Sequence, residues 1–572
     1  MELKRDALDY LRFQAKQKFD LVRADWVDAG TWVAPERIQW LQMQQPAGAR
    51  VNRHIVDGTH LLARRSYVAG FLEGNTSTSR PWIRLQTGSE EKNDVPENKR
   101  FLQKYTNSCL KYLSTRSNFY HAAAMMYDDY GSFSNACHFI EELPNNKLFW
   151  HVLTPGSYYI LNNSIGEATT LVREYSLTVK ACVERYGPSG EISPGVQLMY
   201  DKGDYTTMVD IVTMVIENKS FNPRDPMITS NRPWVSVTYE VGTNRGGQQF
   251  GQYEEPINTG AKMNERYLDI SFSKRKPFIN MRGNGGTEEW SIKGPTSDAL
   301  GCIKSLNKKA IAKDQAIEKM LNPPLQGPAT LRKSYITNSA NGFVPVDAQS
   351  FAQSKGQGLR SIFEVNPAIG TLIQDQTDLR SMVERFYYSD YLLYLSRNPK
   401  TRTAVETNAV VAEQQLIIGP NLQSLNWTYN LPVVDFIMSY VLDNDSELRD
   451  IPKDLQGEFI QAEFISIFAS AQRAADLPAI ERYLTTMGNM AAVGGEATMK
   501  LWDKVNLDKF ADLIADRLFL PEGLNNPQAK VDSERQQAQA MQQRQQMMQE
   551  TIPALAGAQS DMANAQSMMR PA

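Results

Sequence analysis

Cysteine is scarce in this chain of 572 residues. Cys109, Cys137, Cys182 and Cys302 lie far apart with no C-x-x-C pair. That spacing leaves no zinc ribbon or disulfide framework and fits buried thiols in a reducing compartment. No window approaches eighteen uninterrupted apolar residues, so no membrane-spanning helix is expected. A surplus of one charge is lacking too: 61 Lys and Arg against 64 Asp and Glu give a formal net charge of −3. Wrapping nucleic acid by bulk charge is thereby excluded, while a cleft or channel with a local basic lining is not.

Chemical motifs are equally sparse. The glycine-rich spots "GTNRGGQQ", "GNGGTEE" and "SKGQG" lack the G-K-[ST] ending and the strand-then-helix setting of a phosphate-binding loop, which argues against an ATPase motor. His54, His60, His121, His138 and His151 show no H-E-x-x-H spacing. His54 and His60 could face each other on a helix, and both read as structural histidines rather than ligands. Asp128-Asp129 in "MYDDYG" reads as a solvated helix end. No G-x-S-x-G elbow and no recognisable cysteine signature occurs. Enzyme chemistry has no foothold, and no cofactor, metal or catalytic residue is expected.

What is present is ordinary globular material, 42% apolar and 22% charged, enough for about three or four lobes. The start, "MELKRDALDYLRFQAKQKFDLVRADW", reads as a charged amphipathic helix rather than a signal peptide. Residues 5 to 125 read as helices with short loops, among them "HIVDGTHLLARRSYVAGFLEGN" closed by Gly74-Asn75, and a stretch from Asn98 to Leu113. Residues 149 to 292 change to β texture in "FWHVLTPGSYYIL", "VDIVTMVIENKSF", "PWVSVTYEV" and "YLDISFSKRKPFINMR". "LVREYSLTVKACVERYG" reads as one helix interrupting them.

A helix with sharp ends follows in "GPTSDALGCIKSLNKKAIAKDQAIEKMLNPPL", Gly294 to Leu325. Thr296 or Ser297 can cap it, and Asp298 suits its first turn. Leu300, Ile303, Leu306, Ala310, Ile317 and Leu321 recur at helical spacing and form one apolar stripe. Lys304 with Lys308, and Lys309 with Lys313, fall off that stripe. A second long helix is expected from Thr371 to about Leu395. After the basic loop "SRNPKTR" a third starts at Thr403 and is kinked near Gly419-Pro420. The tail from Pro527, rich in Gln and Met, is low in complexity.

Several segments in order resemble the portal (head-to-tail connector) proteins of short-tailed bacteriophages. They are "FDLVRADWVDAGTWVAPER", "IVDGTHLLARRSYVAGFLEGNTSTSRPWIRL", "SNFYHAAAMMYDDYGSFSNACHFIEE", "REYSLTVKACVERYG", "DALGCIKSLNKKAIAKDQAIEKMLNPPL" and "TRTAVETNAVVAEQQLIIGPNL". "ISIFASAQRAA" departs from the family's usual ending. The resemblance implies an α+β phage portal fold in a ring oligomer, typically of twelve copies, at one capsid vertex around a channel for double-stranded DNA. Mapped onto this chain, 1–295 is the wing, with its β-rich part at 149–292. Residues 296–321 are the first stem helix, 322–370 the clip, 371–396 the second stem helix and 397–402 the tunnel loop. Residues 403–442 are the long connecting helix, 443–526 the crown and 527–572 a tail, either a barrel-like helix or disordered.

On this reading the apolar stripe packs neighbouring rods around the ring, and the face left free looks into the channel. Lys304, Lys308, Arg397, Lys400 and Arg402 would then meet DNA phosphates without reading sequence. Implied partners are further copies of the chain, the terminase large subunit, tail adaptor and tail proteins, and major capsid with scaffolding or internal core proteins. No membrane is involved. The implied place is the virion's head–tail junction, with assembly in the host bacterial cytoplasm. The alternatives are a tail adaptor or internal virion structural protein and, further off, a packaging enzyme of the terminase type. Replacing Arg397, Lys400 and Arg402 together by alanine should leave rings intact and alter packaging yield; unchanged packaging refutes the loop assignment.

Overall fold

The computed structural model describes residues 5–38, 54–89, 95–189, 192–222, 228–244, 267–283, 288–321 (except 292), 369–389 and 418–465, with short pieces elsewhere. The chain divides into two units, Met1–Ser466 and Ile467–Ala572. In the second unit, residues 485–489 and 533–543 are helical.

The first unit is organised by helix α1, Arg5–Val33, whose buried Leu8, Ala15, Phe19, Val22, Trp26 and Val33 recur at helical spacing. They lie on a five-stranded antiparallel sheet of β4 (Tyr158–Asn162), β5 (Ala168–Thr178), β6 (Met208–Glu217), β7 (Trp234–Asn244) and β8 (Asp269–Ser273), neighbours in that order. Phe19 sets its ring edge-on to Tyr159 and Trp290 at 5.4 and 5.1 Å, a geometry that adds to simple burial. Polar groups fix the helix along its axis: Glu174 of β5, fully buried, accepts from Arg12 at 2.7 Å and pairs with Lys16 at 3.4 Å.

A second sheet has the order β3 (Lys147–Val152), β2 (Asn135–Leu143), β9 (Phe278–Arg282). Asn145 and Asn146, both at positive φ, turn the chain between β2 and β3, a conformation their short polar side chains tolerate. Helices α2 (Thr59–Asn75), α3 (Pro96–Thr115) and α4 (Phe119–Phe133) match the expected helical region. "LVREYSLTVKACVERYG" is not one helix. Its first half continues β5, which pairs with β4 on one side and β6 on the other. Helix α5, Val179–Tyr186, starts where Thr178 caps it by accepting from the Ala181 N–H. A further short helix, α6 (Pro194–Asp201), was not expected. Nor was the strand pair joining β1 (Ile83–Thr87) to β12 (Ile460–Phe464). Residues 443–465, crown by resemblance, thus belong to the first unit.

Asp128 and Asp129 are not a solvated helix end. Asp129 is buried against Arg37, and Asp128 takes a two-toothed contact from Arg64, which also reaches Glu36 and the Val33 carbonyl. Desolvation raises the Asp129 carboxyl above its ordinary range although Arg37 opposes it. His54 and His60 do not face each other as a pair of ligands: they bond the Thr31 and Trp32 carbonyls at the end of α1.

Residues 418–444 are helical with a π-turn at Asn426–Asn430, while the stretch before 418, on which the kink expected near Gly419-Pro420 depends, lies outside the described residues. Pro432, in the first turn of α9 (Leu431–Asn444), explains the π-turn. A proline has no N–H to return to the carbonyl four residues back and its ring crowds that carbonyl, so the preceding turn widens. The wide turn sends Tyr429 into the core against His138, 3.2 Å from its Nε2.

Burial lowers the His138 pKa to about 3. In the unfolded chain the ring protonates near its ordinary value, about 6.5, so stability is intact above that pH and is lost as pH falls from there toward 3. His138→Phe should flatten the acid-side fall of the urea midpoint, a slope worth up to about 1.4 kcal/mol per pH unit. An unchanged slope would show that another group governs it.

Candidate functional site: a lysine-bearing helix pair

Helix α7, Pro295–Leu321, is a helix of 27 residues and agrees with the expected rod to one residue. Its cap differs from the expectation. Ser297 sits inside the first turn, and its hydroxyl accepts from the Gly294 N–H at 2.9 Å, so Gly294 holds the cap position and Pro295 the first helical one. A Cβ on Gly294 would stand 2.0 Å from the Ser134 hydroxyl oxygen, which reserves that place for glycine. Thr296 does not cap. Buried, it donates to the Gly131 carbonyl and meets the Tyr387 hydroxyl at 2.6 Å.

Helix α8, Ile369–Phe386, packs on α7. Thr296 meets Tyr387, and further along Lys309 meets Asp375, so the two helices run antiparallel. The expected rod to residue 396 is interrupted. Tyr388 has φ +55 and its hydroxyl accepts from Asn421 Nδ2 at 2.5 Å, while its ring stacks on Tyr67. Tertiary partners thus override the helical pattern, at a backbone cost of about 1 kcal/mol for a bulky residue in the left-handed region.

The loop ahead of α2 is keyed between the two helices. Asn307 of α7, fully buried, accepts from the Val56 and Asp57 N–H groups at 2.8 and 3.0 Å and donates to the Ile303 carbonyl. Asp57 in turn accepts from the Thr59 N–H and from Arg380 of α8 at 2.8 Å. Desolvation alone would raise the Asp57 carboxyl, but the hydrogen bonds from Thr59 and Arg380 hold it below its usual range.

The stripe on α7 has two parts. Ile303, Leu306 and Ala310 are buried by the chain's own α1, α4 and α8, so this half is not left for a neighbouring rod, contrary to the expectation. Ile317 and Leu321 are exposed, Leu321 at 75%. On α8, Ile373 and Met382 are each 49% exposed. They are nine residues apart, two and a half helical turns, and so lie on opposite flanks.

The lysines separate likewise. Lys304 forms an ion pair with Asp28 of α1, and Lys309 with Asp375 of α8. Lys308 is exposed and makes no hydrogen bond or ion pair among the described residues. Arg397, Lys400 and Arg402, together with the rest of 397–402, lie outside the described residues, as does most of 322–370. From that segment, β10 (Leu325–Gln326) pairs antiparallel with β11 (Arg360–Ser361). Asp28, Asp57 and Asp375 escaped the sequence reading. The run Asp57-Gly58-Thr59 ahead of a helix carried a usable signal as a capping aspartate; Asp28 and Asp375 carried none, because their partners are distant in sequence or on another helix. Among the described residues no group of three or more His, Cys, Asp or Glu is placed to hold a metal, and no helix is long and apolar enough to cross a membrane.

Residues 5–524 match the family described as bacteriophage head to tail connecting protein. The "Probable portal protein" of Bordetella phage BPP-1 is 29% identical over 529 residues, 91% of this chain and 88% of that protein. The "Portal protein" of Salmonella phage epsilon15 is 26% identical over 539 residues, 92% of this chain and 91% of that one. Among solved structures, a chain of the virion of a native gene transfer agent particle superposes loosely, with a TM-score of 0.35 at 9% identity, covering 82% of this chain and 96% of that one. Asn307→Leu keeps the branched shape but removes the acceptor of the Val56 and Asp57 N–H groups, and should cost about 2 kcal/mol or more in urea unfolding; a near-neutral result would show that the loop is held by other contacts.

Proposed function

Since the chain belongs to the bacteriophage head to tail connecting protein family, matched over residues 5–524, we propose that it is a portal protein. Copies close into a ring at one capsid vertex, and the ring forms the passage for double-stranded DNA during packaging and ejection. It also docks the terminase large subunit and then the tail, and it sits among the major capsid and the scaffolding or core proteins. It is a component of the virion and carries no catalysis of its own. The likeness to two phage portal proteins over about nine tenths of the chain supports this reading.

One feature of the helix pair carries it further. Apolar side chains are exposed on two opposite flanks of α8, Ile373 on one and Met382 on the other. A surface needing cover on both sides suits head-to-tail contact with two different neighbours, which is how a rotation closes a ring. The exposed Lys308 is then a cation on α7 free to meet a phosphate, while Lys304 and Lys309 are held by Asp28 and Asp375. Arg397, Lys400 and Arg402 remain proposed channel residues beside it. A weak, non-specific contact is what a sliding polymer requires, because every neutralised phosphate tightens binding.

Light scattering after size exclusion should give a mass near twelve times the 64.6 kDa chain or another closed ring. Ile373→Glu combined with Met382→Glu should reduce the particle to the mass of one chain while the circular dichroism stays that of the folded protein. A wild-type chain that remains a folded monomer under all assembly conditions would overturn the ring and favour an adaptor.

A further inference from the structure

Arg173 stands in the middle of β5, opposite Tyr158 on one side and Thr213 on the other. Its guanidinium lies 4.6 Å from the centre of the Tyr175 ring and 5.6 Å from that of Phe139. The Tyr175 platform is fixed in place, since its hydroxyl bonds those of Tyr186 at 3.0 Å and Thr213 at 3.3 Å. Arg173 is half-buried, yet among the described residues its guanidinium donates no hydrogen bond and forms no ion pair. A guanidinium carries five N–H donors in a rigid fork, and rings satisfy its charge only in part.

The neighbouring carboxylate cannot serve it. Glu141 of β2 spends one oxygen on Arg185 of α5 and the other on His151 of β3, both at 2.8 Å. Arg185 has Glu141 as its partner and Asp269 nearby, whereas the Arg173 guanidinium has no acceptor among the described residues where β5, α5 and the β2–β3 hairpin meet. Desolvation lowers the Arg173 pKa, with Arg185 adding to the effect, as is expected of a cation with no acceptor. Phe149, 40% exposed, packs its ring on His151 at 4.6 Å and gives the place an aromatic rim.

We infer that Arg173 anchors an oxyanion-binding site, for a carboxylate or a phosphate, with Arg185 as its second cation. An arriving oxyanion accepts from the free edge of the Arg173 fork while the Tyr175 and Phe139 rings hold the fork's plane. The site lies away from the helix pair and stands whether or not the chain closes into a ring.

The full chain is heated in sodium phosphate and, separately, in sodium acetate, each against sodium chloride of equal ionic strength. One or both oxyanions should raise the melting temperature by about 2 °C or more over chloride. Arg173→Met should lose that increment and Arg185→Met part of it. A response to phosphate alone assigns a tetrahedral ligand, and a response to acetate alone a planar carboxylate. The 31P line width of added phosphate supplies a reading that does not depend on unfolding. If Arg173→Met does not fold, Arg173→Lys takes its place, and loss of the fork should cut the increment several-fold. No increment in the wild type, or an equal one in the Arg173 variant, overturns the site.

Discussion

Two backbone N–H groups, those of Val56 and Asp57, end on one buried amide oxygen, that of Asn307. The placement of the helix pair depends on this small arrangement. Asn307 belongs to α7, the loop it holds leads into α2, and Asp57 in that loop takes the Arg380 guanidinium of α8. Three elements thus meet at a polar centre built on the buried Asn307 and Asp57, where an unpaired group is costly and a paired one specifies geometry. At the other end of the pair Thr296, Gly131 and Tyr387 repeat the device. Between the two points α7 and α8 are tied to the rest of the unit.

The same economy governs charge. α7 bears a row of lysines, and two of those described, Lys304 and Lys309, are answered by acids of the same chain and tie helices together. Such half-exposed pairs contribute little stability each. Their effect is to remove cations from the surface. What a passing polyanion would feel is a residue of the formal charge, consistent with a chain whose overall balance is slightly negative. At Arg173 the balance tips the other way, because aromatic faces hold a cation in place without neutralising it.

Much of this was legible in the amino acids. The rod from Pro295 to Leu321 announced itself by Pro and Gly at one end, Pro-Pro at the other and an apolar stripe between. The β-rich stretch showed in alternation of β-branched and aromatic residues. Readings failed where local signals were ambiguous or where partners lie far away in sequence. "LVREYSL" carries helix-compatible residues, and pairing with two flanking strands decides it. The α8 pattern continues through Tyr388, whereas Tyr67 and Asn421 stop it. Asp129 reads as a surface acid because nothing near it in sequence foretells Arg37, and Asp28 draws no notice because Lys304 is equally distant. Of the five cations expected to face the channel, two fall in described helix, and of these Lys304 is engaged by Asp28.

The widened turn at Asn426–Asn430 has a bearing on how this chain can change in length. A π-turn holds one residue more than the α-helical turn it replaces, so the helix on either side keeps its faces aligned as though that residue were not there. A deletion inside the turn would leave Tyr429's neighbours and the buried face of α9 in register but press the Pro432 ring onto the carbonyl behind it. A deletion elsewhere in α9 would rotate every later side chain by about 100°. Shortening is thus opposed on steric grounds in one place and on packing grounds everywhere else, which makes this helix a fixed-length strut.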